Sequence, residues 1–148
     1  MNFDLTDEQK MLQRMMKEFA DGEVAPGAIE RDRTKEFPLE VFKKLAQMGI
    51  MGLPFPERYG GADADTISFA IVTEELSRVC ASTGITYSAH ISLGGAPLHL
   101  FGTEQQKEKY LTPICTGESF GAFGLTEPNA GSDAGGTETT ASLKDGQF

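Results

Sequence analysis

The sequence is short of cysteine, of positive charge and of long apolar runs, and each shortage closes off a class of protein. Only Cys80 and Cys115 occur, far apart and without the paired spacing of a zinc or redox motif, so both read as reduced packing residues. Lys and Arg number 13 against 22 Asp and Glu, a formal net charge of -9. No concentrated basic stripe offsets that field, so nucleic acid is not an expected partner. A small phosphate-bearing ligand stays open, because a few backbone N–H groups at a turn can hold phosphate inside an acidic protein. No stretch approaches membrane-spanning length, and Met1-Asn2-Phe3-Asp4-Leu5-Thr6 lacks the basic region and apolar stretch of a secretion signal. The expectation is a cytoplasmic, bacterial protein without a membrane partner.

What is present suits a globular fold. The 148 residues are 39% hydrophobic and 24% charged, enough to bury a core without disulfides or metal. Thr6 with Gln9 reads as a capping box, and Met11, Leu12, Met15, Met16, Phe19 and Ala20 follow at helical spacing as a core-facing stripe. Pro26 is expected to end that region. After a polar stretch, Pro38 suits the first turn of a helix carrying Val41, Phe42, Leu45 and Met48, with Gly49 as its stop. Residues 52–65 are turn-rich. Asp65 can cap a third helix holding Ile67, Ala70, Ile71 and Leu76, and Ser82 a fourth holding Ile85, Ala89 and Ile91. Gly94, Gly95 and Pro97 then interrupt the pattern, and Thr103 caps a last helix through Tyr110 and Leu111. His90 and His99 have no partner spacing for a metal or a triad and read as packing or surface residues.

Near residue 118 the period changes. Residues 119–125 read as a buried strand and 137–143 as another, and Asp145-Gly146 is a hairpin signal calling for a return strand. The chain is therefore expected to end inside a domain. Between these segments runs Gly124-Leu125-Thr126-Glu127-Pro128-Asn129-Ala130-Gly131-Ser132-Asp133-Ala134-Gly135-Gly136. Its glycines permit close approach of backbone to ligand, and Thr126, Ser132 and Asp133 supply short polar groups. A plain surface turn fits the same composition.

Residues 124–133 also resemble the flavin-binding signature of the acyl-CoA dehydrogenase family. Leu5-Thr6-Asp7-Glu8-Gln9, Leu45-Ala46-Gln47-Met48-Gly49-Ile50, Pro56-Glu57-Arg58-Tyr59-Gly60-Gly61 and Phe101-Gly102-Thr103-Glu104-Gln105-Gln106-Lys107 resemble further family landmarks in the expected order. The run from Gly121 to Gly131 is most similar to the short-chain, butyryl-CoA type. The implied fold class is α+β: an all-α amino-terminal domain over 1–117, then the start of a β-barrel-like middle domain over 118–148. A carboxy-terminal helical bundle would complete the family fold.

The resemblance implies FAD as cofactor and an acyl-CoA substrate. Phe123, Leu125 and Thr126 would lie along the flavin ring, with the Thr126 hydroxyl near the edge that receives hydride. Ser132 would meet the FAD phosphates and the CoA portion of the substrate, and Gly124 and Gly131 are further cofactor-binding positions. No catalytic residue is expected in this chain, since the family's catalytic glutamate lies in the carboxy-terminal domain, and no metal is implied. Glu127 is given a structural role. On this basis the chain alone is expected to be inactive, and the parent protein to be a homotetramer passing electrons to an electron-transfer flavoprotein. The rivals are an acyl-CoA oxidase or flavin monooxygenase of the same superfamily, and a non-catalytic helical module binding acyl-CoA or a protein.

Overall fold

A computed structural model describes residues 3–147, and its architecture is a set of helices joined by loops. Helix α1 is Asp7–Phe19, α2 Ala28–Thr34, α3 Leu39–Gln47, α4 Thr66–Val79, α5 Ala81–Ala89, α6 Ala96–Phe101, α7 Glu104–Gln106 and α8 Thr112–Thr116. The core is built by α1, α3, the loop after α3, α4, α5 and the turn before α8. Met16, Val24, Phe42, Leu45, Met51, Val72, Leu76, Tyr87 and Leu111 are fully buried in one cluster. No described helix is long and apolar enough to cross a membrane. Cys80 and Cys115 are both buried free thiols.

The start signals of α1 and α4 are realised as one joint. Gln9 donates its backbone N–H to the Thr6 hydroxyl at 3.2 Å, and its side-chain oxygen accepts the Thr6 N–H at 3.0 Å. The same Gln9 amide donates through Nε2 to Asp65 at 2.7 Å, while the other Asp65 oxygen accepts the Ser68 N–H at 2.7 Å. The two helix origins are thereby stitched together, and the hydrogen bond from the Ser68 backbone is the main reason the Asp65 carboxyl lies below its ordinary range. Thr103 forms a second capping box with Gln106.

Two expected helix breaks are absent. Helical structure runs from α1 through Pro26 into α2, and from α5 through Gly94, Gly95 and Pro97 into α6. The reason is shared. A π-helical turn precedes each of three prolines: Ala20–Val24 before Pro26, His90–Gly95 before Pro97, and Lys107–Leu111 before Pro113. In each case the residue just ahead of the proline donates five residues back: Ala25 to Ala20, Ala96 to Ile91 and Thr112 to Lys107. Proline lacks an N–H and its ring strikes the carbonyl four residues earlier, so widening the turn lets the helix pass.

Other expectations need correction. The stripe on α1 is narrower than its spacing suggests: Met16 and Ala20 are buried, but Met11 is 60% and Met15 39% exposed. Ser82 does not cap α5; Cys80 stands at the N-cap without a side-chain cap bond. Most consequentially, the start of a β-barrel-like domain is not found, for no strand occurs among the described residues. Residues 119–125 and 137–143 carry no ladder, and among the described residues two isolated bridges form, Glu127 with Ala130 and Lys144 with Gln147. A strand exists only when a neighbour pairs its N–H and C=O groups, and among the described residues none lies alongside. The Asp145-Gly146 turn does form, with φ of 52° and 78°, the two positive values of a type I′ turn.

Replacing Gln9 by Ala should cost about 1–2 kcal/mol, since it unpairs both the Thr6 N–H and one Asp65 oxygen. Urea unfolding checks this, with Gln105→Ala on the exposed surface as a control expected to leave the midpoint unchanged.

Candidate functional site

After Gly117 closes the last helix at φ +78°, the chain turns back across α5 and α6. Ser119 donates its N–H to the Pro113 carbonyl at 3.0 Å, and Gly121 donates its N–H to His90 Nδ1 at 3.1 Å. Phe120 lies between these contacts, edge-on to Phe37 and Phe42 at 5.2 and 5.5 Å. Gly94 and Gly121 meet without side chains between them: a Cβ on Gly94 would stand 2.4 Å from the Gly121 Cα. That approach brings segment 119–123 down onto the helical surface.

In sequence His90 reads as a packing or surface residue. It is 1% exposed, and besides Gly121 its ring meets the carbonyls of Met51 at 3.2 Å and Ile114 at 3.1 Å through Nε2. A carbonyl only accepts and a backbone N–H only donates, so these partners require the neutral ring with its proton on Nε2. Burial holds the His90 pKa below its ordinary value, with the Ile114 and Met51 carbonyls acting in opposition. One local signal of this role is a ring with two polar nitrogens in an apolar helical run, one turn before Gly94-Gly95.

Segment 119–123 also builds two clefts. One, of about 460 Å³, lies against Leu93, Pro97, Leu98, Tyr110 and Ile114; the other, of about 350 Å³, lies against Phe37, Thr86, Ala89 and His90. Leu93 and residues 120–123 line both. Phe123 therefore sits at the clefts, whereas Gly124, Leu125, Thr126, Gly131 and Ser132 lie beyond them in an exposed run. Phe123 is 53% and Leu125 44% exposed. Within the described chain neither the Thr126 nor the Ser132 hydroxyl has a hydrogen-bond partner. Ala130, just before Gly131, is buried.

Glu127 organises this run. Its carboxylate accepts the backbone N–H groups of Glu138 at 2.8 Å and Thr139 at 3.1 Å, and its own N–H reaches the Ala130 carbonyl at 3.0 Å. The bonds from Thr139 and Glu138 hold the Glu127 carboxyl below its ordinary range. A carboxylate so occupied is a brace for the loop, in line with the structural role expected of it. Among the described residues no cluster of His, Cys, Asp and Glu is arranged to hold a metal.

Comparison with known proteins reads this geometry. The profile of the acyl-CoA dehydrogenase, N-terminal domain, matches residues 6–118. The chain belongs to the acyl-CoA dehydrogenase family. A relative is the short-chain specific acyl-CoA dehydrogenase of Clostridium acetobutylicum, 51% identical over 144 residues that cover 97% of this chain and 38% of that protein. A chain in a structure of the electron transferring flavoprotein of Acidaminococcus fermentans, solved in work on flavin-based electron bifurcation, superposes with a TM-score of 0.93 at 48% identity. That match covers 98% of this chain and 38% of the other. An acyl-CoA dehydrogenase complexed with FAD from Bacillus anthracis superposes with a TM-score of 0.89 at 38% identity, over 96% of this chain and 24% of that one. The chain thus spans a little over a third of the length of the curated relatives it matches. Within the family fold, its helical region is the part these likenesses establish.

The buried neutral His90 has a pH signature. Its folded pKa lies below the ordinary 6.5, so the unfolded chain takes up the proton first as pH falls. The stability it secures is complete above about pH 6.5 and is lost as pH drops toward the folded value. The thermal midpoint should therefore be level well above pH 6.5 and begin to decline as pH falls through about 6.5, before the carboxylates titrate. In His90→Gln that decline should disappear, which a series of thermal melts against pH will show.

Proposed function

We propose that this chain forms the amino-terminal part of a flavin-dependent enzyme that desaturates a short acyl-CoA thioester between its α and β carbons. The observation that carries the reading is the exposed run Phe123-Gly124-Leu125-Thr126, held at the mouth of two apolar clefts in a chain of this family. Its residues fit a flavin. Phe123 and Leu125 offer apolar surface to a planar ring, and a Cβ at Gly124 or Gly131 would meet nothing within 4 Å, leaving the backbone open to a ligand. The free hydroxyls of Thr126 and Ser132 can serve a ring edge and a phosphate.

FAD, when bound, supplies the acceptor for the β-hydride. This chain's part is to orient and stabilise. Phe123, Gly124, Leu125 and Thr126 would back the ring, with the Thr126 hydroxyl donating where negative charge gathers; Gly131 and Ser132 would bind phosphate, and Ser132 the CoA portion of the substrate. Glu127 spends its carboxylate on two backbone N–H groups and is not assigned as the α-proton base, which the family resemblance assigns to the carboxy-terminal part of the enzyme. The acyl chain is assigned to the clefts against Leu93, the helical residue that lines both. We assign residues 1–117 to the helical unit and 118–148 to the flavin-contacting segment, and an electron-transfer flavoprotein as the electron acceptor of a homotetrameric, cytoplasmic enzyme.

In the full-length protein, Thr126→Val should slow flavin reduction by the equivalent of about 2.7–4 kcal/mol in barrier while leaving the fold intact. Stopped-flow reduction at the wild-type rate would remove Thr126 from the chemistry. Acyl-length preference is a separate prediction: the specificity constant should be higher for butyryl-CoA than for octanoyl-CoA, because the pocket sets that ratio. The reverse order would reject the short-chain assignment.

A further inference from the structure

We propose that His90 is a positioning residue: through the Gly121 N–H it sets where the flavin-contacting run Phe123 to Thr126 stands over the helical surface. The proposal rests on the flavin reading given above. Its starting point is that a residue needed only to fill space at 1% exposure would be apolar, since every buried polar atom must find a partner. His90 meets that demand with partners on three separate segments. Nε2 faces the Met51 carbonyl in the loop after α3 and the Ile114 carbonyl in α8, both within the helical body. Nδ1 serves neither; it accepts the N–H of Gly121, outside the helices.

That bond holds a special place along the chain. Before it, Ser119 is tied to Pro113; after it, among the described residues no hydrogen bond ties 122–126 to anything, and the next is from the Glu127 N–H to Ala130 inside the local turn. Gly121 is thus the last tether before the exposed run. The Gly94 contact fixes the same point from below, since a Cβ on Gly121 would stand 2.8 Å from the Gly94 Cα and 3.1 Å from the His90 carbonyl oxygen. At roughly 3.3 Å per residue, Thr126 lies at most about 17 Å along the chain from this tether. A small rotation at Gly121 is therefore magnified at the Thr126 hydroxyl, where productive geometry tolerates about 0.5 Å.

The two ring nitrogens can be tested separately. His90→Gln keeps a donor near the Nε2 position and loses the acceptor for Gly121; His90→Asn keeps an acceptor near the Nδ1 position. In the full-length protein at pH 8, His90→Gln should keep its thermal midpoint within a few degrees, exchange the Gly121 amide about tenfold faster and bind FAD about tenfold more weakly. His90→Asn should restore both the slow exchange and the FAD affinity. Gly94→Ala, which leaves the ring intact but pushes segment 119–123 away, should weaken FAD to a similar degree and decides the matter should His90→Gln not fold. Wild-type FAD affinity and visible spectrum in His90→Gln despite faster Gly121 exchange, or unchanged exchange, overturns the positioning role. A wild-type protein that holds no FAD defeats the flavin reading instead, and the Gly121 exchange in the His90 variants still decides the tether.

Discussion

A buried imidazole with three backbone partners is the constraint on which the second half of this structure depends. His90 sits on the turn between α5 and α6, and its ring reaches the loop after α3, the end of α8 and the segment that leaves the helices. None of those partners can be dropped without stranding a polar group in the core. Because two of them are carbonyls and one is an N–H, the ring must also stay neutral. Position and protonation state are thus set by the same three contacts, and the site-bearing segment inherits its placement from the helical core.

The helices that carry this ring are longer than their proline content suggests. Pro26, Pro97 and Pro113 each follow a π-helical turn in which one hydrogen bond spans five residues. The widened turn moves the obstructing carbonyl, and the helix continues with a small shift in the direction of its side chains. That shift has a use on the α5–α6 path. His90 begins the π-helical turn and Gly94-Gly95 close it, so the wide turn faces the ring one way and leaves the helix surface bare for Gly121.

Beyond Gly121 the chain leaves the core: Phe123 and Leu125 stand exposed, and the Thr126 and Ser132 hydroxyls have no hydrogen-bond partner among the described residues. Glu127 spends its carboxylate bracing the loop through the 138 and 139 amides, which keeps the display in one shape without adding a group that could act on a substrate. Under the proposed function, flavin covers that surface.

Sequence alone determined what local chemistry can determine. The capping box at Thr6, the caps at Asp65 and Thr103, the stop at Gly49, and the positive-φ turn at Asp145-Gly146 each depend on a few neighbouring residues, and each formed as its residues require. The family was legible for a similar reason, since its landmarks are contiguous motifs. The tertiary structure decided whatever depends on a distant partner. Whether 119–125 became a strand turned on a pairing neighbour, and the segment instead found α5 and α8. Whether Pro26 and Pro97 broke a helix turned on a hydrogen bond to a residue five back, which no propensity counts. Which of Met11, Leu12, Met15 and Met16 was buried turned on where α4 lies against α1. And His90 passed for an ordinary helical residue, because its three partners stand 39, 24 and 31 positions away and only folding brings them to one ring.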